Sequence, residues 1–203
     1  VQVGALTNWL TSACTAYNTL AVKTDGTLWG WGANTYGETG RNTTVANSSP
    51  IQVGALANWS KVAGGFYFSF AIKTDGTMWS WGRNQSGQLG QSDKINRSSP
   101  VQVGALTTWL NVICGYQFTV AVKTDGTLWT WGQNARGQLG LNDLVYRSSP
   151  VQVGALTTWS EIGCSSYAFG SVKTDGTLWL CGDSNYGQLG QNNTIRRSSP
   201  IQL

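Results

Sequence analysis

The sequence predicts an all-β fold, a propeller of blades that each hold four antiparallel strands. Three observations carry that prediction. The stretch Lys-Thr-Asp-Gly-Thr-(Leu/Met)-Trp begins at Lys23, Lys73, Lys123 and Lys173, a spacing of 50 residues with no insertion between copies. A fixed period of this size marks solenoids, propellers and arrays. Asp-Gly between two apolar runs is a hairpin signal, because both residues tolerate the positive φ of a type I′ turn. No segment shows helical periodicity, whereas short alternating runs recur between turn residues.

Each unit divides into four strands. The first is the alternating run Val/Ile-Gln-Val-Gly-Ala-Leu, with Pro50, Pro100 or Pro150 just before it, where a missing N–H is tolerated. In the third unit the second strand is residues 109–114, and Gly115-Tyr116-Gln117 forms a turn. Residues 118–123 form the third strand, the Asp125-Gly126 hairpin follows, and residues 128–131 form the fourth. Residues 132–147 are a polar loop holding Gly137-Gln138-Leu139-Gly140. Four-stranded units repeated radially describe a propeller. A β-solenoid ranks behind it, since solenoid coils are shorter and lack so tight a hairpin. The expected organisation is one domain, 1–203, with repeats 1–50, 51–100, 101–150 and 151–200, and 201–203 starting the next unit.

Composition narrows the function. All 11 Trp residues fall in register with the repeat, so they read as core. The net charge of +4 is too small and unclustered for nucleic acid. There is no His, which removes the commonest general base and metal ligand. Cys14, Cys114 and Cys164 share one phase and Cys181 stands in place of a Trp, so all four read as unpaired small hydrophobes rather than as a disulfide framework or a zinc site. No apolar run approaches the ~18 residues of a membrane span. Four of the nine acids (Asp25, Asp75, Asp125 and Asp175) are turn residues, and the rest form no acid–base pair. No cofactor is implied, and the chain reads as non-enzymatic.

The phrases Trp-Gly-x-Asn-x-x-Gly-Gln-Leu-Gly (residues 81–90 and 131–140) and Arg-Ser-Ser-Pro-Val-Gln-Val resemble the repeats of the regulator of chromosome condensation family. The resemblance covers all four units. It implies a propeller, typically of seven blades, so four units imply part of a larger ring or one completed by a partner chain, with a smaller closed ring as the remaining alternative. It also implies candidate activities: guanine-nucleotide exchange on a small GTPase, ultraviolet-B sensing, inhibition of secreted β-lactamases, or generic partner binding. The His of the exchange-factor repeats is absent: its positions hold Asn18, Phe68, Phe118 and Ala168. The Trp and Arg of the photoreceptor motif are absent too.

The sequence therefore points to a binding module for a protein or glycan partner. The alternative is a structural array of a fibre, stalk or surface assembly, and guanine-nucleotide exchange ranks last. Further propeller repeats, or other copies of the chain completing the ring, are the remaining partners to expect. A bacterial or viral surface or secreted setting is preferred to a cytoplasmic one. Strand alternation puts the turn at positions 15–18 of each unit on the same rim as positions 33–47. That rim is where the units differ. It offers Tyr17, Phe66, Tyr67, Phe68, Tyr116, Phe118 and Tyr167, with Tyr36, Arg136, Tyr146 and Tyr186 from the long loops and Arg97, Arg147 and Arg197 nearby. Tyr and Arg are enriched at binding hot spots.

Overall fold

The computed structural model describes residues 7–203; the first-unit run over residues 1–6 lies outside them. It holds four sheets of four antiparallel strands each and no helix. The first blade is β1 (Trp9–Cys14), β2 (Asn18–Lys23), β3 (Leu28–Gly32) and β4 (Asn47–Gln52). The second is β5 (Trp59–Gly64), β6 (Phe68–Lys73), β7 (Met78–Gly82) and β8 (Arg97–Gln102). The third is β9 (Trp109–Cys114), β10 (Phe118–Lys123), β11 (Leu128–Gly132) and β12 (Arg147–Gln152). The fourth is β13 (Trp159–Cys164), β14 (Ala168–Lys173), β15 (Leu178–Gly182) and β16 (Arg197–Gln202). The first strands β1, β5, β9 and β13 meet from blade to blade and form the inner wall.

The sheets are offset from the sequence period. The Val/Ile-Gln run closes the preceding blade instead of opening its own: Trp79 pairs with Gln102 and Ser80 with Val101. Pro100 therefore lies inside β8, not before it. The register slips between Ser80 and Gly82, so Pro100 falls in a bulge of an outer edge strand, where its missing N–H leaves no ladder bond unmade. The chain then turns at Gly104, whose φ is +61°, and enters the next blade.

The Asp-Gly hairpin is present but differs from a type I′ turn. In residues 124–127 only Gly126 is left-handed (φ 74°). Asp125 acts through its side chain: Oδ1 accepts from the Thr127 amide (2.9 Å) and hydroxyl (2.6 Å). The hydroxyl in turn accepts from Trp129 Nε1 at 2.8 Å. This Asx-type bond mimics a backbone turn and holds the hairpin without a second positive φ. These bonds also hold the Asp125 carboxyl below its ordinary pKa. Beside the turn, Lys123 Nζ lies 3.5 Å from the Trp129 ring centre and 4.9 Å from that of Trp109. Burial lowers the Lys123 pKa, against the pull of Asp125. The same Lys–Trp–Trp sandwich recurs in all four blades.

Blades pack through their sheet faces. Phe70, Ile72, Met78 and Leu89 of the second blade meet Trp109, Val112, Ala121 and Trp131 of the third in one apolar cluster. Hydrogen bonds reinforce the junction: Gln88 O accepts from Thr119 Oγ1 (3.0 Å) and Trp131 Nε1 (2.9 Å). Glu38 O accepts in the same way from Ser69 Oγ (2.8 Å) and Trp81 Nε1 (2.9 Å). The fourth blade reverses the sizes of two cross-strand pairs. Thr119↔Trp131 in the third blade becomes Phe169↔Cys181 in the fourth, and Val120↔Thr130 becomes Gly170↔Leu180.

All four Cys are free, but they are not all buried hydrophobes: Cys14 and Cys164 are exposed on the inner wall, Cys114 is half-buried and Cys181 is buried. Among the described residues no cluster of His, Cys, Asp and Glu could hold a metal ion. Among the described residues no helix is long and apolar enough to cross a membrane.

Candidate partner-binding rim

The antiparallel order fixes which loops meet. The turn between the first and second strands of a blade and the loop between its third and fourth strands lie at the same end. Backbone bonds join them: Ala33 N donates to Tyr17 O (2.9 Å), Arg83 N to Tyr67 O (2.8 Å) and Asp183 N to Tyr167 O (2.9 Å). The Asp-Gly turns lie at the opposite end.

On this rim the aromatic residues make one continuous chain of contacts across four blades. Tyr17 stacks on Tyr67, with centroids 5.0 Å apart and planes 14° from parallel. Phe66 meets Tyr67 edge-on at 4.5 Å and Tyr116 at 4.3 Å. Tyr116 meets Tyr167 at 5.3 Å. Tyr36 joins from the side, 5.2 Å from Tyr67. A guanidinium closes each end: Arg83 lies 5.4 Å from the Tyr36 ring centre, and Arg136 lies 3.9 Å from that of Tyr167. Such contacts are favourable both as ring pairs and as cation–π pairs.

Local backbone geometry holds the rings. Tyr67 has φ 68°, a left-handed conformation that is rare for a bulky residue. Gly65 comes just before, and a Cβ there would stand 2.2 Å from the Phe68 ring. Crowding by the neighbouring rings, and then the Tyr17 hydroxyl, raise the Tyr67 phenol above its ordinary pKa. At the far end Asp183, 3% exposed, anchors two arginines. Its carboxylate accepts from Arg136 Nη1 at 2.6 Å and from Arg196 Nε at 2.8 Å.

The structure thus brings together Tyr17, Tyr36, Phe66, Tyr67, Tyr116, Tyr167 and Arg136. It removes Phe68 and Phe118, both 0% exposed: each opens a second strand, and its ring turns inward to the core. Arg97 and Arg147 are tied to Asp93 (2.6 Å) and Asp143 (2.5 Å) of their own loops, so their charge is spent locally. Tyr146 accepts from Gln133 Nε2 at 3.3 Å, and Tyr186 stands 94% exposed at the tip of its loop. Arg197 opens β16. Sequence reasoning missed Arg83 and Asp183 as parts of this rim. Asp183 left a signal: it stands where the other units carry Ala33, Arg83 and Gln133.

The sequence model of the regulator of chromosome condensation (RCC1) repeat matches residues 25–72, 75–122, 125–168 and 175–203. The chain belongs to the RCC1 repeat family. A second RCC1 repeat model matches residues 59–88. No curated protein sequence matches this RCC1-repeat chain. Among solved structures, human WBSCR16 superposes with a TM-score of 0.89 at 20% identity, covering 100% of this chain and 55% of that one. Prp20p from Saccharomyces cerevisiae, in a study of its binding to Gsp1p and histones, superposes with a TM-score of 0.88 at 18% identity, covering 100% and 52%. Yeast RCC1 (Prp20) bound by Kap60 gives 0.87 at 18% identity, covering 100% and 50%. These likenesses establish the fold. The RCC1 repeats described here span about half the length of those relatives.

Proposed function

We propose that this RCC1-repeat chain is a non-catalytic binding module that recognises a protein partner through the aromatic rim. The observation that carries the reading is the unbroken contact from Tyr36 and Tyr17 through Tyr67, Phe66 and Tyr116 to Tyr167 and Arg136. Rings held against one another lose little side-chain freedom on binding, which is what an anchor residue requires. The left-handed backbone of Tyr67 adds support, since such strain gathers at ligand clamps. The opposite rim repeats Lys-Thr-Asp-Gly-Thr four times and offers no comparable variation. Relatives of the same fold are reported with protein partners, Gsp1p, histones and Kap60, which favours a protein over a glycan by analogy.

The test is retention from a lysate of the source cells on the immobilised chain. Replacing Tyr67, Tyr116 and Tyr167 together with Ala should abolish capture of the partner while the far-ultraviolet spectrum stays unchanged. If that triple variant captures the same protein as before, and variants of Asp75 and Asp125 do not, recognition belongs to the other rim.

A further inference from the structure

One position of the long loop is aliphatic and exposed in every blade. Val45, Ile95, Val145 and Ile195 are 69, 62, 58 and 57% exposed. The residues on either side vary in size and charge, as in Lys94-Ile95-Asn96 against Leu144-Val145-Tyr146. Single exposed aliphatics are ordinary, but one fixed between variable neighbours asks for a cause. Ile95 and Val145 stand in the second and third blades, which have a blade on either side, so no missing neighbour accounts for their exposure. The loop holds each tip in place. Its amide donates two residues back, to Thr43 Oγ1 (3.2 Å), Asp93 Oδ1 (2.9 Å), Asp143 Oδ1 (2.9 Å) or Asn193 Oδ1 (3.0 Å). In the first three blades Arg41, Arg97 or Arg147 also donates to the tip's carbonyl.

The net charge of +4 collects at the same end. Along the Asp-Gly end four Lys are matched by four Asp, each Lys two residues before its Asp. On the inner strands Lys61 offsets Glu161. Every other charged residue lies at positions 33–47 of its unit: all seven Arg and Lys94, against Glu38, Asp93, Asp143 and Asp183. The surplus is therefore confined to the end that carries the aliphatic tips. Arg41, Arg83, Lys94 and Arg197 form no ion pair among the described residues. The opposite end exposes leucines too, Leu56, Leu106 and Leu156, but its charges cancel.

We propose that this end docks on the surface of an anionic lipid bilayer, with the four aliphatic tips entering the headgroup boundary and the unpaired cations meeting acidic headgroups. Equivalent residues of successive blades lie at one level along a propeller's axis, so the tips suit a broad, flat partner. Buried apolar surface and attraction to acidic lipid are the two terms that hold a peripheral protein at an interface. Each Lys or Arg near the bilayer gains from its negative surface potential. The long Arg side chains can lay their stems along apolar surface and keep the guanidinium among the headgroups. The proposal does not rest on the rim reading, because the aromatic residues occupy the inner turns and the tips precede the outermost strands. A protein held by the aromatic rim would then be one presented at the same membrane.

Cosedimentation of the 203-residue chain with vesicles of phosphatidylcholine alone, or of phosphatidylcholine with phosphatidylserine, tests this. Binding to the mixed vesicles should be tighter by roughly a hundredfold, as the unpaired cations imply, and should fall as salt is raised. Replacing Val45, Ile95, Val145 and Ile195 together with Ser should weaken it about tenfold or more. Lys94→Glu should weaken it about tenfold, which keeps the proposal testable if the Ser variant folds poorly by circular dichroism. Replacing Leu56, Leu106 and Leu156 with Ser, at the opposite end, should leave it unchanged. The variant with Ala at Tyr67, Tyr116 and Tyr167 should still bind the vesicles, so a failure here is separate from a failure of the rim reading. Absent binding, or equal binding to the two kinds of vesicle, overturns the proposal. So does unchanged binding by both the Ser variant of the tips and Lys94→Glu. Binding to poly-L-glutamate as tight as to the mixed vesicles also overturns it, and assigns the surface to an acidic protein.

Discussion

The reversed pair in the fourth blade is a natural compensation, and it can be transplanted. Trp131 is fully buried, lies 6.0 Å from Trp109 and 5.9 Å from Phe70, and donates to Gln88 O. Trp131→Cys should therefore cost about 3–5 kcal/mol, the usual range for emptying a large aromatic site. Thr119→Phe alone places a ring where Trp131 already fills the space, and should cost about 1–3 kcal/mol by overpacking. Made together, the two changes copy Phe169 and Cys181, which occupy these same paired positions with 1% and 0% exposure. The double variant should be about 2 kcal/mol more stable than the sum of the single effects, a coupling within the range for residues in contact. It should not recover fully, because Gln88 O loses both of its donors, Thr119 Oγ1 and Trp131 Nε1. Urea unfolding followed by far-ultraviolet circular dichroism on all four proteins of the cycle gives the coupling. Strict additivity would refute the argument, since it would mean that the two sites do not share one volume.

Two further outcomes follow from single side chains. Glu38 is fully buried; one oxygen accepts from Tyr36 N at 2.7 Å and the other has no partner, in the position where Gln88 and Gln138 carry an amide nitrogen. Burial pushes its carboxyl above the usual carboxylate range. The folded state therefore holds this proton more tightly than the unfolded state, so stability should fall as pH rises from about 4.5 through the folded pKa and then level off. Glu38→Gln should remove that fall and raise stability at neutral pH; thermal unfolding at several pH values checks both. Separately, a thiol reagent at neutral pH should label exposed Cys14 first, ahead of Cys164, whose thiol burial pushes up to about 11. Cys181, buried and pushed up to about 12, should react only after denaturation, as read by mass spectrometry of peptides.

Much of this architecture is legible in the residues. The hairpin at Asp125-Gly126, the strands that flank it and the pairing of the two loops on one rim follow from period, turn chemistry and alternation. The blade boundary is not legible. A run such as Val101-Gln102 alternates equally well in either sheet, and only its pairing with Ser80 and Trp79 shows which it joins. The rim is half legible. Tyr67, Tyr116 and Tyr167 stand in turns, where exposure is the natural reading. Phe68 and Phe118 lie one and two residues further on, and a strand that begins there points alternate side chains inward. Sequence spacing cannot tell the last turn residue from the first strand residue. Arg83 and Asp183 escaped notice because each joins the rim through a partner 47 residues earlier in the chain: Tyr36 for the first, Arg136 for the second.

Several bonds between blades place a buried acceptor in the earlier blade and its donors in the later one, which matters as the chain is made. Glu38 O waits for Ser69 and Trp81, Gln88 O waits for Thr119 and Trp131, and Gly26 O waits for Trp59 N. Each of these three acceptors therefore lies in a blade whose donors have yet to leave the ribosome. A nascent blade can form its four strands as soon as they emerge. Its buried carbonyls stay wet until the following blade folds onto them. Assembly thus advances from the amino end one repeat behind synthesis, and the newest blade is always the least finished.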